Sequence, residues 1–236
     1  MQTAELARFE PMSDPRPNDE AWPDMIWPVP DDAALTGETV HLSRIDAAAE
    51  AAELFTALDS DRVWAHVPRR PGSPQHFEAL LRQRQSYDNW QGWAVRARRP
   101  IGDRAPGAII GVTAYLDARP HDAGLEIGFT LYTPSVWGTA VNPEAKLLLL
   151  DYAFGTLGVA RVQLKTDVRN HRSQQAISRL GAHYEGTLRH HFRRGDGTIR
   201  DSVLFSITVD DWPAVREKLV TRIRTQTHEN PYPASD

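Results

Sequence analysis

The residues best spaced for chemistry lie in one stretch, Leu125-Glu-Ile-Gly-Phe-Thr-Leu-Tyr-Thr-Pro-Ser-Val-Trp-Gly-Thr-Ala-Val-Asn-Pro-Glu-Ala145. A strand runs into a loop of small and turn-forming residues. The loop enters a helix expected over 143–154, with Asn142 as N-cap and Pro143 at the favoured first position. Loop amides and a helix N-terminus together make an anion site. The loop is not a P-loop, since no Gly-Lys-Ser/Thr follows, nor a GxGxxG dinucleotide turn. On the strand, alternation puts Glu126, Gly128, Thr130 and Tyr132 on one face and Leu125, Ile127, Phe129 and Leu131 on the other. A carboxylate on the polar face beside a small Gly128 is placed to move a proton in a cleft. The structural alternative is an ion pair between Glu126 and an Arg on a neighbouring strand.

Other candidates are weaker. His190 and His191 are adjacent on an expected strand, so they point to opposite faces and cannot chelate together; one of them lining a cleft is the functional alternative. Arg193 and Arg194, beside Gly195-Asp196-Gly197, read as a solvated hairpin tip. Of Trp64, Trp90 and Trp93, two are expected in the core and one as a wall of an acceptor pocket. Cysteine is absent, which removes disulfides, zinc–thiolate sites and a cysteine acyl-enzyme together. No Gly-x-Ser-x-Gly elbow offers a serine in its place.

The elements that must position these residues alternate in period. Strands are expected over 38–42, 93–97, 108–116, 125–132 and 159–166, and a hairpin joins 184–192 to 199–209 through Gly195-Asp196-Gly197. Helices are expected over 46–58 with Asp46 as N-cap, over 73–88, over 143–154, after Asn170 or Ser173 as far as Gly181, and from Trp212 onward. The order β-α-α-β-β-β-α-β-α-β-β-α gives an α/β (α+β) fold, a mixed central sheet of about seven strands with helices on both faces.

Composition sets the class. The chain has 236 residues, 41% hydrophobic and 25% charged, with a net charge of −4. Length fits one domain with extensions. The charge argues against a general nucleic-acid binder, no run approaches the ~18 apolar residues of a membrane span, and no secretory signal core opens the chain, so a cytoplasmic location is expected. The cations are 24 Arg and only 3 Lys: Lys146, Lys165 and Lys218. Residues 1–36 carry six prolines and eight acidic residues and read as an extension without helix or central strand. Trp22, Met25, Ile26 and Trp27 imply that it lies on the folded body or on a partner. The domain is placed at 37–224, followed by a frayed tail at 225–236.

From about Thr39 to Trp212 the chain resembles the GCN5-related N-acetyltransferase (GNAT) superfamily, and its RimJ/RimL-like branch in particular. Four pieces carry the resemblance in order: Glu126-Ile-Gly-Phe129; Trp137-Gly-Thr-Ala-Val-Asn-Pro-Glu-Ala145; Asn170-His-Arg-Ser173 with Leu180-Gly181; and Glu185-Gly-Thr-Leu-Arg189 with Asp201-Ser-Val-Leu-Phe-Ser206. The resemblance implies a sheet splayed between its fourth and fifth strands to hold acetyl-CoA, without a metal. Backbone groups of Phe129, Thr130, Leu131 and Tyr132 would bind the pantetheine arm, and a backbone N–H near Leu131 would serve the oxyanion. The loop Trp137, Gly138, Thr139, Ala140 and Val141 would take the pyrophosphate, while Asn170 and Ser173 would contact the cofactor. Glu126 would be the base. Two departures stand out: Trp137, Ala140 and Asn142 replace the usual Arg/Gln-x-x-Gly-x-Gly/Ala residues, and Ile177 stands where many relatives place a Tyr general acid. The implied activity is acetyl transfer to a primary amine, a protein N-terminus or a small molecule, by direct attack in a ternary complex. The alternatives are a catalytically inactive CoA-binding or regulatory module, and a protein-interaction role for the N-terminal segment. No nucleic acid or membrane partner is implied, and a homodimer is the oligomeric expectation.

Overall fold

A computed structural model describes residues 10–14 and 22–229; expectations for 1–9, 15–21 and 230–236 lie outside the described residues. Eight strands form one open sheet: β1 (Ala34–Thr36), β2 (Val40–Arg44), β3 (Gln91–Ala97), β4 (Ile109–Arg119), β5 (Gly124–Tyr132), β6 (Arg161–Asp167), β7 (His183–Arg193) and β8 (Ile199–Thr208). Six helices accompany them: α1 (Ala47–Ala57), α2 (Asp61–Trp64), α3 (Pro74–Gln85), α4 (Val141–Gly155), α5 (His171–Ser178) and α6 (Trp212–Glu229). The strand order is β1-β2-β3-β4-β5-β6-β8-β7. All pairs are antiparallel except β5 and β6, which are parallel and joined by α4.

Local chemistry sets the helix starts. Asp46 accepts from the amides of Ala48 and Ala49 to open α1, Ser73 accepts from His76 N–H ahead of Pro74 in α3, and Asn170 Oδ1 accepts from Ser173 N–H at 3.0 Å in α5. Gly181, at φ +94°, follows α5 in the left-handed region that ends helices. Strand alternation sorts two cores. Trp93, Val95, Tyr115, Leu125 and Ile127 pack with α4 and α6 on one face, and Ala94, Val112 and Ala114 with α1 and α3 on the other. The second core takes no residue from β6, β7 or β8.

Three expectations change and one is met. The sheet gains an eighth strand because Ala34–Thr36 pairs with His41–Ser43 at the edge, where a Pro-rich neighbourhood is tolerated. Residues 22–33 lie on the body: Val29 is buried in the core, Met25 and Trp27 pack against it, and Trp27 Nε1 donates to Asp88 O at 2.6 Å, whereas Trp22 and Ile26 are exposed. Helix α6 runs to Glu229, past the boundary set at 224. Trp64, Trp90 and Trp93 are all core residues, so none of them walls a pocket.

Candidate active site

The parallel pair β5–β6 is short. Gly124, Leu125 and Glu126 face Arg161, Val162 and Gln163, and there the pairing stops. β5 continues to Tyr132 and β6 to Asp167, so from Ile127 onward the inner edge of β5 is open toward a wedge-shaped split. Within that open part β5 carries an extra residue. Val112 faces Leu131 while Ala114 faces Gly128, and Phe129 takes φ +47°, the left-handed geometry of a β-bulge.

The bulge overturns the expected facing. Before it Leu125 and Ile127 enter the α4 core; after it Tyr132 joins that core, while Leu131 enters the other core and Phe129 packs against it. Glu126 and Gly128 therefore do not share a face with Thr130 and Tyr132. The ladder also moves the proposed oxyanion donor. Thr133 N–H donates to Ile110 O, so Leu131, two residues back and opposite Val112, points its N–H at β4. The backbone of Tyr132 faces the open side, where its carbonyl accepts from Trp137 Nε1 at 3.0 Å.

Glu126 sits at the fork, 3% exposed. Its Oε2 lies 2.7 Å from Lys165 Nζ and 3.2 Å from Gln163 Nε2, both on β6, and Lys165 reaches Asp117 at 3.5 Å. Burial raises the carboxyl's pKa against the opposing pull of Lys165. The partner is thus a lysine, where the structural alternative had named an arginine. Gly128 is required beside it, because a Cβ there would meet Leu116 Cδ1 at 2.6 Å and Glu126 Oε1 at 2.9 Å.

At the top of the split α4 starts earlier than expected, at Val141 behind Ala140, which has no side chain to cap it. Asn142 is therefore inside the first turn with Pro143, where proline is still tolerated. Thr139 Oγ1 takes the Val141 amide at 3.3 Å and so starts the turn. Gly138 has φ +80°, and a Cβ there would meet nothing within 4 Å. An open loop running into an uncapped helix terminus fits a phosphate group. Arg172 of α5 stacks on Trp137 at 3.4 Å and Arg62 of α2 approaches the same indole at 4.9 Å, which ties the two sides of the split together. Asn170 Oδ1 is engaged in its own helix cap, and Ile177 is a buried core residue.

Several residues of the site were not singled out from sequence. Lys146 of α4 is 5% exposed; its Nζ lies 2.8 Å from Thr130 Oγ1 and 3.3 Å from Thr113 Oγ1, and burial lowers its pKa to about 7. Glu144 accepts from the amides of Glu38, Thr39 and Val40 at 2.9, 2.7 and 2.8 Å. Arg194 is no solvated tip residue, since its guanidinium grips buried Asp167 at 2.6 and 2.7 Å. His191 Nδ1 is buried without a partner beside a β7 irregularity where His190 takes φ +53°. A cavity of about 730 Å³ lies there, lined by Thr187, Leu188, Arg189, His190 and His191. Among the described residues no group of three or more His, Asp or Glu is placed to hold a metal, and no helix is long and apolar enough to cross a membrane.

Residues 40–183 match the Acetyltransferase (GNAT) domain family. A curated relative, the uncharacterized N-acetyltransferase p20 of Bacillus licheniformis, is 28% identical over 99 residues, 42% of this chain; the match spans about half of that relative, 54%. The structure is similar to a GCN5-related N-acetyltransferase from Brucella melitensis, with 25% identity, a TM-score of 0.76 and coverage of 86% of this chain and 89% of that one. It shares its fold with Mycobacterium smegmatis RimJ in complex with CoA-disulfide, at 17% identity, TM-score 0.65, and coverage of 80% and 93%.

Proposed function

The chain belongs to the GNAT acetyltransferase family, and on that premise we propose that it acetylates a primary amine from acetyl-CoA by direct attack in a ternary complex. The observation that carries this reading is the split: a strand edge left open from Ile127 beside an uncapped helix terminus, with a buried carboxylate at its fork. Acetyl-CoA, when bound, supplies the acetyl group as an activated thioester. The residues present fit it. The open edge of β5 offers backbone groups to an extended amide-bearing arm as an added strand would. In the loop 137–141 the amides of Trp137, Thr139 and Val141 are engaged within the turn, which leaves those of Gly138 and Ala140, with the positive end of α4, to meet phosphates. Asn170 and Ser173 stand at the start of the helix that faces that loop through Arg172.

Glu126 would take the proton that an ammonium must lose before it can attack, directly or through one water. Its raised pKa makes it a better base than an exposed glutamate, and Lys165 keeps it anionic. The Tyr132 N–H, turned to the open side, is the backbone donor best oriented for an oxyanion. With Ile177 apolar, no tyrosine acid serves the leaving group from α5. The acceptor is a protein N-terminal α-amine, as in the RimJ/RimL-like branch, or a small amine, and the setting is cytoplasmic. The catalytic domain is proposed over 37–224, flanked by β1 and the buried Val29 on one side and by the end of α6 on the other, and a homodimer is its proposed assembly.

A second reading rests on the Glu126–Lys165 ion pair at 2.7 Å. A carboxylate already neutralised would suit a CoA-binding module without turnover. Incubation with acetyl-CoA and a panel of amines, following free CoA with a thiol reagent, separates the two. The protein has no cysteine, so its own background is nil. Amine-dependent release establishes the transferase. Thermal stabilisation by acetyl-CoA without release from any amine establishes the module.

A further inference from the structure

The face of β6 and β8 that looks away from α4 and α6 carries a cluster the acetyl-transfer reading leaves unused. Val162 and Leu164 of β6 and Phe205 and Ile207 of β8 point into the core. Their alternates Gln163, Lys165 and Ser206 therefore point the other way, as do Leu204, Ser202 and Arg200 further along β8. The α1–α3 core stops short of these strands. The result is a groove floored mainly by polar side chains, with Leu204 among them, and entered at its inner end by Glu126.

Phe192, on the bulged part of β7, lies over this groove. Lys165 Nζ and the Arg200 guanidinium each sit 5.5 Å from its ring centre. The two cations are thus within twice that distance of each other, a span that a molecule the size of an amino acid or dipeptide can cross. Their states differ. Lys165 is paired with Glu126 and Asp117. Arg200 donates from Nε to Ser202 Oγ at 3.0 Å and makes no ion pair among the described residues. The acids that face it are engaged elsewhere, Asp167 by Arg194 and Glu126 by Lys165. His191, whose Nδ1 is buried without a partner, packs on the Phe192 ring at 3.9 Å. A half-buried guanidinium without a counter-ion is an unmet demand for a planar anion, which a carboxylate fills with two parallel hydrogen bonds.

We infer that the acceptor is an amine that also carries a carboxylate, such as a free α-amino acid or a short peptide acid. Arg200 grips the carboxylate, Phe192 covers the carbon skeleton beside it, and the amine is delivered to Glu126. The inference rests on the acetyl-transfer reading and narrows its acceptor class. It sets this chain apart from an enzyme for long protein N-termini, where no carboxylate lies near the reacting amine.

The test compares matched sets: glutamate, methionine and phenylalanine, their carboxamides, their decarboxylated amines, and a peptide amide with a free N-terminus. CoA release is followed at saturating acetyl-CoA. At least one free acid should exceed its carboxamide in kcat/KM by about ten-fold or more, the size of one charge-assisted pair. Arg200→Gln should erase that preference by raising KM for the acid about ten-fold, with KM for acetyl-CoA changed less than about two-fold. Arg200→Lys should retain part of it, and it stands in if the Gln variant fails to fold. Carboxamides or the peptide amide matching the acids would overturn the inference while leaving the transferase intact. So would an Arg200→Gln effect confined to KM for acetyl-CoA, which would assign this arginine to the cofactor's phosphates. Silence in every arm, with acetyl-CoA still raising the melting temperature, would overturn the transferase reading and this inference with it.

Discussion

Lys146 and Glu126 show how burial sets the chemistry of single residues. The Lys146 ammonium has two threonine hydroxyls for company and no carboxylate within ion-pair distance among the described residues. Burial brings its pKa from 10.5 to about 7. Between those two values the unfolded chain holds a proton that the folded chain has released, so stability rises with pH across that window and the burial penalty is fully present below it. Lys146→Met should remove this slope. It should also stabilise the protein by about 1–4 kcal/mol near pH 6, since Thr113 and Thr130 keep their mutual hydrogen bond. Urea melts from pH 6 to 10 decide it; an unchanged slope in the variant would rule the assignment out. For Glu126 the sign is opposite in kind: only the carboxylate accepts a proton, and burial raises its pKa. The acid limb of kcat/KM should therefore lie above the range of an ordinary glutamate. Glu126→Gln should cost about 10²–10⁴-fold in kcat and abolish that limb, whereas full activity in the variant would remove Glu126 as the base. Glu126 was legible in the sequence from its strand position beside Gly128. Lys146 was not, because a lysine in an Ala/Leu-rich helix reads as a side chain that reaches out to solvent.

The elements were legible where hydrophobic period or a cap marks them. Asp46, Ser73 and Asn170 open their helices as their side chains require, and β2 and β6 follow the alternation of their residues. The bulge at Phe129 was not legible. One inserted residue changes no composition, yet it reverses the facing of everything after it, which is why Thr130 meets Lys146 rather than Glu126. β1 was hidden by its shortness and by the prolines that precede it, Pro28 and Pro30, and α2 by being only four residues long. The role of Glu144 depends on residues more than a hundred positions away, and no local pattern encodes that. Its carboxylate accepts from three consecutive amides of the β1–β2 turn, and Gly37 is needed there because a Cβ would come within 2.5 Å of Glu144 Cδ. Glu144→Ala should strand three polar groups, two of the three contacts buried, and cost about 3 kcal/mol or more. The loss should appear in denaturant melts. A change below about 0.5 kcal/mol would mean that water replaces the carboxylate.

At the scale of the whole molecule the sheet has two halves whose strand pairing, among the described residues, joins them through three residues each of β5 and β6. α4 and the loop before it belong to one half, α5 to the other, and the Arg172–Trp137 stack joins them. A ligand seated in the split adds contacts to both halves and stabilises the folded state by mass action, about 2.7 kcal/mol at a hundred-fold excess over Kd. The described part of the extension runs from the end of α4, where Ile26 N–H donates to Leu157 O at 2.8 Å, to the far edge of the same sheet, where β1 pairs with β2. Deleting residues 1–36 removes β1, the buried Val29 and the Trp27–Asp88 bond. Val29 alone is worth about 1.5–3 kcal/mol of burial, so the truncated protein should melt at a lower temperature. It keeps the 38–40 turn on Glu144, and with it the seat of α4. The rise in melting temperature caused by acetyl-CoA should therefore survive the truncation undiminished. Scans of both proteins with and without acetyl-CoA measure the two effects at once. A truncated protein that melts like the full chain would make the extension an appendage. One that loses the acetyl-CoA shift would show that the edge strand and the split act as a single unit.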